Sequence, residues 1–137
     1  MKSAFRVDLP GQPPSWNAAY QIITIRGHGS WKKMPPAVAY QVMVTDRTRL
    51  ACPSDFAPKG QLYICYQMFL KRNMDADNIL KLANDAIATA LGINDSRFLP
   101  VVISKSSGHV DPRLVVSILD ADVYQVEVNH VGDRRVP

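Results

Sequence analysis

Asp75 and Asp77 flank a single residue, Asn78 and Lys81 follow within one helical turn, and Lys71 and Arg72 stand just ahead. Asp95 waits past the next apolar-periodic stretch. In an extended segment, side chains two residues apart leave the same face of the chain. Two carboxylates so placed repel each other unless water screens them or a divalent cation sits between them. Hard cations such as Mg²⁺ take oxygen ligands and keep several waters, so two or three carboxylates suffice. Lys81 lies four residues after Asp77 and shares its helix face. A cation there can orient an attacking water or stabilise charge developing on a phosphate. Lys71 and Arg72 are suited to hold flanking phosphates. The chemistry these residue types can do together is metal-assisted hydrolysis of a phosphodiester.

The bland alternative is real. Aspartate ahead of a helix is a common N-cap device, and aspartate near a turn is ordinary. On that reading Asp75 and Asp77 cap, Lys81 and Asp85 are solvated, and Asp95 is a turn residue. Spacing alone leaves both readings standing.

The elements that must position these residues can be read along the chain. Ala4 to Leu9 alternates weakly and is expected to be a strand. Pro10, Gly11, Pro13 and Pro14 stop it, and Pro13 to Asn17 form a stiff loop carrying Trp16 and Asn17. Gln21 to Arg26 reads as a short strand and Gly27 to Ser30 as a turn. Pro35 and Pro36 suit a first helical turn, so Ala37 to Leu50 is expected to be a helix, with Val38, Val42 and Thr45 or Arg49 giving it a mixed face. Cys52 to Pro58 is a loop. Gln61 to Leu70 is the best strand signal, with both faces apolar enough for burial. A helix then carries Ile79, Leu80, Ala83, Ala86, Ile87, Ala90 and Leu91 on one stripe. Asp77 is its expected N-cap, and Gly92 ends it with Ile93 placed for the usual apolar contact. Pro100 to Ser104 and Leu114 to Leu119 are two further strands around a turn-rich loop, and the tail from Asp120 is either a last strand or frayed. Interleaved strands and helices make the class α+β, a mixed sheet with two main helices, and one domain over residues 1–137.

Asp95 poses a distance problem. A helix from Asn78 to Leu91 is roughly 21 Å long at about 1.5 Å per residue. A four-residue turn recovers at most about 14 Å. Asp95 therefore does not easily reach Asp75 and Asp77 through its own helix. Either another element brings the ends together, or two copies of the helix pack antiparallel about a two-fold axis, in a homodimer with two symmetric sites.

Composition bounds the rest. A chain of 137 residues with 47% hydrophobic content suits one core. No apolar run approaches the roughly 18 residues of a membrane span, and the start, MKSAFRVDLP, has no signal-peptide apolar region. Cys52 and Cys65 are too few for a disulfide framework and read as small packed side chains. His28, His109 and His130 lack zinc spacing and read as bystanders. These features point to the cytosol. The net charge of +4 permits nucleic acid without demanding it. Its distribution says more, because Lys32–Lys33 and Arg134–Arg135 form clusters besides Lys71–Arg72. Lys32 and Lys33 are candidate phosphate contacts. Trp16 and Tyr20 either stack on bases or pack on the core.

The motif D-x-D-N-x-x-K at Asp75, Asp77, Asn78 and Lys81, then Asp85–Ala86, then the turn Asn94–Asp95–Ser96, resembles the RusA family of Holliday-junction resolvases. The early loop with Pro13, Pro14, Ser15 and Asn17 is similar to that family's start, and Tyr40 fits loosely. The block from Asp75 to Ser96 carries the specificity. The resemblance implies an α+β homodimer that cuts four-way DNA junctions with Mg²⁺ or Mn²⁺, of a kind typically carried on prophages. It implies that Asp75, Asp77 and Asp95 are the essential, metal-binding acids and Lys81 the essential lysine. DNA contacts would come from Lys71, Arg72, Lys32, Lys33 and Asn17. One departure stands out: Asn73 and Met74 separate Arg72 from Asp75, where the family often has cations directly before the first acid. That dilutes local positive charge. Two other classes stay open, a junction-binding module whose acids only cap helices, and a small-molecule phosphohydrolase.

Overall fold

Leu62, Ile64, Tyr66 and Met68 leave the same side of one strand and are almost wholly excluded from solvent. That strand is the spine of a computed structural model that describes residues 2–15, 20–25 and 27–127. The elements are strands β1 (Ala4–Pro10), β2 (Tyr20–Ile25) and β3 (His28–Lys33), helix α1 (Pro35–Ala51), strand β4 (Leu62–Phe69), helix α2 (Ala76–Leu91), a 3₁₀ turn (Asp95–Arg97), and strands β5 (Phe98–Ser106) and β6 (Arg113–Asp120). Four strands form one sheet in the order β1-β6-β4-β5, and β2 and β3 form a separate hairpin. β4 runs parallel to β5 and antiparallel to β6, so the sheet is mixed as expected.

Register explains the core. Tyr66 pairs with Val116, which pairs with Val7; Met68 pairs with Leu114, which pairs with Leu9. Directly paired residues share a face, so these six side chains form one apolar floor. α2 lays Ile79, Ala83, Ala86 and Ile87 on that floor, and α1 adds Tyr40 and Val44. The class is α+β, with two helices on a four-stranded mixed sheet.

Several expectations need correction. The segment after Gly27 is not a turn through Ser30 but the strand β3. Of the expected mixed face of α1, Thr45 meets α2, donating to the Ala86 carbonyl at 3.2 Å, but the valines do not pack. The buried stripe of α1 is Ala37, Tyr40, Val44 and Thr48, while Val38 and Val42 are about half exposed, at 47% and 55%. Thr48 is tolerable inside because its hydroxyl donates to the Val44 carbonyl at 2.7 Å. α2 also buries Leu82, against Ala37 of α1. The β5 strand begins two residues earlier and ends two later than its sequence signal. Both cysteines are unpaired, Cys65 buried and Cys52 half-buried, and burial pushes both thiols up. Trp16, Asn17, His130, Arg134 and Arg135 lie outside the described residues.

Candidate active site

α2 starts two residues earlier than the sequence indicates. Its N-cap is Asp75, not Asp77, which falls in the first turn. The extended backbone at Asp75 (φ −63°, ψ 128°) is that of an N-cap, yet its side chain makes no capping hydrogen bond. This matters chemically. A capping aspartate spends its carboxylate on the amides of the first turn, whereas this one keeps its oxygens for another partner. Asp75 and Asp77 are both exposed, and so is Lys81 one turn further on. Their oxygens are the hard donors a Mg²⁺-like cation takes, and exposure lets it keep its waters. The donor set fits such a metal.

The two acids are aimed by the irregular segment 71–74, and long-range side chains hold it. The Gln12 carboxamide accepts from the Lys71 amide at 2.8 Å and donates to the Arg72 carbonyl at 3.0 Å. Lys105 Nζ donates to the Met74 carbonyl at 3.0 Å. The Gly108 amide donates to the Lys71 carbonyl at 3.2 Å. Sequence reasoning missed Gln12 and Lys105 altogether, because nothing in a local window links them to residues about 30 or 60 positions away.

The far end of α2 is built differently. Gly92 adopts the left-handed conformation (φ 66°) that favours glycine. The Ile93 amide reaches back to the Ala88 carbonyl at 3.1 Å, which is the closure expected from the sequence. Asn94 accepts from the Ser96 amide at 2.9 Å and caps the 3₁₀ turn that Asp95 opens. Arg97 then donates to the carbonyls of Pro58 and Gly60 at 2.6–2.9 Å, pinning the turn to the loop before β4. Asp95 is exposed. The helix between is 16 residues, about 24 Å at 1.5 Å per residue. Within one chain, among the described residues, no group of three His, Cys, Asp or Glu side chains gathers to hold a metal. Asp75 and Asp77 sit together at one end of α2 and Asp95 sits at the other.

The remaining candidates divide. Lys71 and Arg72 are exposed where β4 ends. Lys105 at the end of β5 and Arg113 at the start of β6 lie at the same end of the sheet, where β4 finishes. The Arg113 guanidinium lies 4.4 Å over the Phe69 ring, a cation–π contact. His109 packs edge-on against the same ring and bonds Ser106 Oγ at 2.7 Å. This cluster of cations restores the positive charge that Asn73 and Met74 dilute. Lys32 is exposed. Lys33 is not a ready phosphate contact. Its ammonium reaches Gln41 Oε1 at 2.7 Å and Asp85 Oδ2 at 3.5 Å. Gln41 in turn donates to Asp85 and to the Leu82 carbonyl, so this network ties β3, α1 and α2.

A small α+β domain with an acid pair and a lysine at one helix entrance, and cations at the adjoining strand ends, has the residue types of a metal-dependent phosphodiesterase. Residues 23–119, more than half of the chain, match the family model of the endodeoxyribonuclease RusA. The chain belongs to the RusA family of Holliday-junction endodeoxyribonucleases. No curated protein matches it significantly.

Proposed function

We propose that this chain resolves four-way DNA junctions by paired, symmetric phosphodiester hydrolysis, with Asp75 and Asp77 as metal ligands and Lys81 at the scissile phosphate. The observation that carries the reading is the exposed acid pair at the start of α2, with the Asp75 carboxylate unspent on capping. A bound Mg²⁺ or Mn²⁺ would neutralise phosphate charge and make a bound water more acidic. Lys81, one turn from Asp77, meets charge developing on the phosphate. Lys71, Arg72, Lys32 and Arg113 hold the backbone of the DNA arms, and Asn17, outside the described residues, is proposed as a further contact from the sequence alone. The product is two duplexes, which requires two cuts and so two sites, in the cytosol where the DNA is.

Asp95 is the third acid, supplied by a second copy. The exposed stripe of α2 is Asp77, Lys81, Asp85 and Thr89. An antiparallel crossing that set Asp95 of one copy against Asp75 of the other would centre Asp85 on its own equivalent, like charge on like. The β5 edge serves better. Among the described residues no strand covers it, and Val102 and Ile103 are 40% and 59% exposed there. Two β5 strands related by a two-fold run antiparallel. The start of one, just after Asp95, then lies beside the end of the other, where Lys105 holds Met74. Pro100 and the extra residue Ile103 limit the ladder such a pair could form, so this contact rests on side chains.

The test is cleavage of a synthetic four-way junction beside a matched linear duplex, with Mg²⁺, Mn²⁺ or EDTA, together with sedimentation at the assay concentration. Paired nicks on the junction alone, lost in EDTA, from a dimer are the expected result. Junction binding without cutting in either metal would return the acids to capping roles, and an active monomer would remove the shared site.

A further inference from the structure

We infer that Gln12 and Lys105 are positioning residues for the Asp75 carboxylate, an inference that rests on the metal-dependent reading of the site. The segment 71–74 has no helix or ladder of its own, so its backbone must find partners elsewhere. Gln12 supplies two of them with one carboxamide. Its oxygen takes the Lys71 amide and its nitrogen serves the Arg72 carbonyl, as a neighbouring strand would. The same nitrogen lies 3.0 Å from Met74 Sδ. Lys105 fixes the next point, the Met74 carbonyl, which belongs to the peptide bond leading into Asp75. The direction of the Asp75 side chain therefore depends on two groups that never touch it.

Gln12 is itself anchored. Gly11 (φ 94°) donates its amide to the Pro112 carbonyl at 2.8 Å, which ties the early loop to the start of β6. Pro13, on the other side, is buried. Gln12 is half-buried between these fixed points, so its carboxamide enters the segment with little freedom. Lys105 adds a positive charge close to the acid pair, which offsets part of the repulsion between Asp75 and Asp77 before a metal arrives.

The experiment is Mn²⁺ titration calorimetry on the full chain, with Mg²⁺-dependent junction cleavage and thermal melting alongside. Gln12→Met keeps the length and removes every bond to the segment; Lys105→Met does the same on the other side. Each is expected to weaken Mn²⁺ about ten-fold or more, the usual cost of losing a group that orients a metal ligand. The Mg²⁺ concentration for half-maximal cleavage should rise in parallel, while junction affinity of Gln12→Met in EDTA stays within a factor of about three. Lys105→Arg, which keeps a donor, should recover most of the loss. Unchanged Mn²⁺ affinity in both methionine variants, or a lower melting temperature with an unchanged metal requirement, would overturn the inference. Should Gln12→Met not fold, Lys105→Met decides alone, since that residue is exposed. A wild-type chain that neither binds Mn²⁺ nor cuts would bring down the metal reading itself, whereas a wild-type chain that does both while the variants match it brings down only the positioning roles.

Discussion

The two ends of α2 solve the same problem in opposite ways. At its C-terminal end the helix closes on local partners, Gly92, Ile93 and the Asn94 cap, and one long-range side chain, Arg97, then pins the turn to the carbonyls of Pro58 and Gly60. At its N-terminal end the cap residue makes no capping bond, and the segment leading to it is held by Gln12 and Lys105 from other parts of the chain. One end closes a helix and the other holds two carboxylates open. An N-terminus that leaves its aspartate uncommitted forgoes roughly the 1 kcal/mol that a capping bond contributes, and leaves the Asp75 carboxylate unbonded to the first turn.

The widest break in that comparison should come from the acids themselves. Asp75→Ala and Asp77→Asn are each expected to lower junction cleavage about a hundred- to a thousand-fold, the scale of removing a group that stabilises transition-state charge. Junction binding in EDTA should survive. Melting should barely change for Asp75→Ala, because no cap bond is lost; a drop worth a full capping interaction would mean that Asp75 caps after all.

Arg97→Ala probes the closed end. It removes a charged donor from two carbonyls that the Pro58–Gly60 loop presents, and should cost about 2 kcal/mol of stability in denaturant unfolding. Its effect on Mn²⁺ affinity should be small beside that of the Asp75 change. A loss of metal binding as large as that of Asp75→Ala would show that the two ends are coupled within one chain.

The smallest effect lies between the ends, under α1. Burial pushes the Tyr40 phenol far above its ordinary value, and Tyr66 likewise, by burial first and then by the nearby Tyr40. Tyr66 donates to Asn84 Oδ1, whereas the buried Tyr40 hydroxyl has no protein partner among the described residues. A raised folded value means that stability is complete below the unfolded tyrosine value of about 10 and falls as pH rises beyond it. Tyr40→Phe should therefore flatten the alkaline loss of stability. At pH 7 it should be neutral or stabilising by less than about 1 kcal/mol, since an unpaired hydroxyl is removed. A destabilised Tyr40→Phe at neutral pH would reveal a partner for that hydroxyl.

What the sequence made legible follows from how far each signal travels. The α2 stripe, the Gly92 closure and the β4 strand are local patterns, and each stands within a residue or two of its expected place. The acid pair was legible as a motif, and both carboxylates are exposed at the start of α2. The N-cap assignment slipped by two residues because Asp75 and Asp77 are equally good caps by type, and only the packed segment before them decides. The inward face of α1 was misjudged because β-branched Val38 and Val42 outweigh small Ala37 in any hydrophobic count, although Ala37 is what lets α1 approach Leu82. Lys33 looked like half of a basic pair until Gln41 and Asp85, from two helices, enclosed it.

The bond from Lys105 to Met74 also sets an order of events. Its partners are 31 residues apart, and β5 must be in place beside β4 before it can form. A chain still emerging from the ribosome has both carboxylates well before it has the residue that steadies the peptide ahead of them. On the proposed positioning role, cutting competence would arrive late in synthesis, with the closing of the sheet, and a truncated product that ends before β5 would carry the motif without the bond that steadies it.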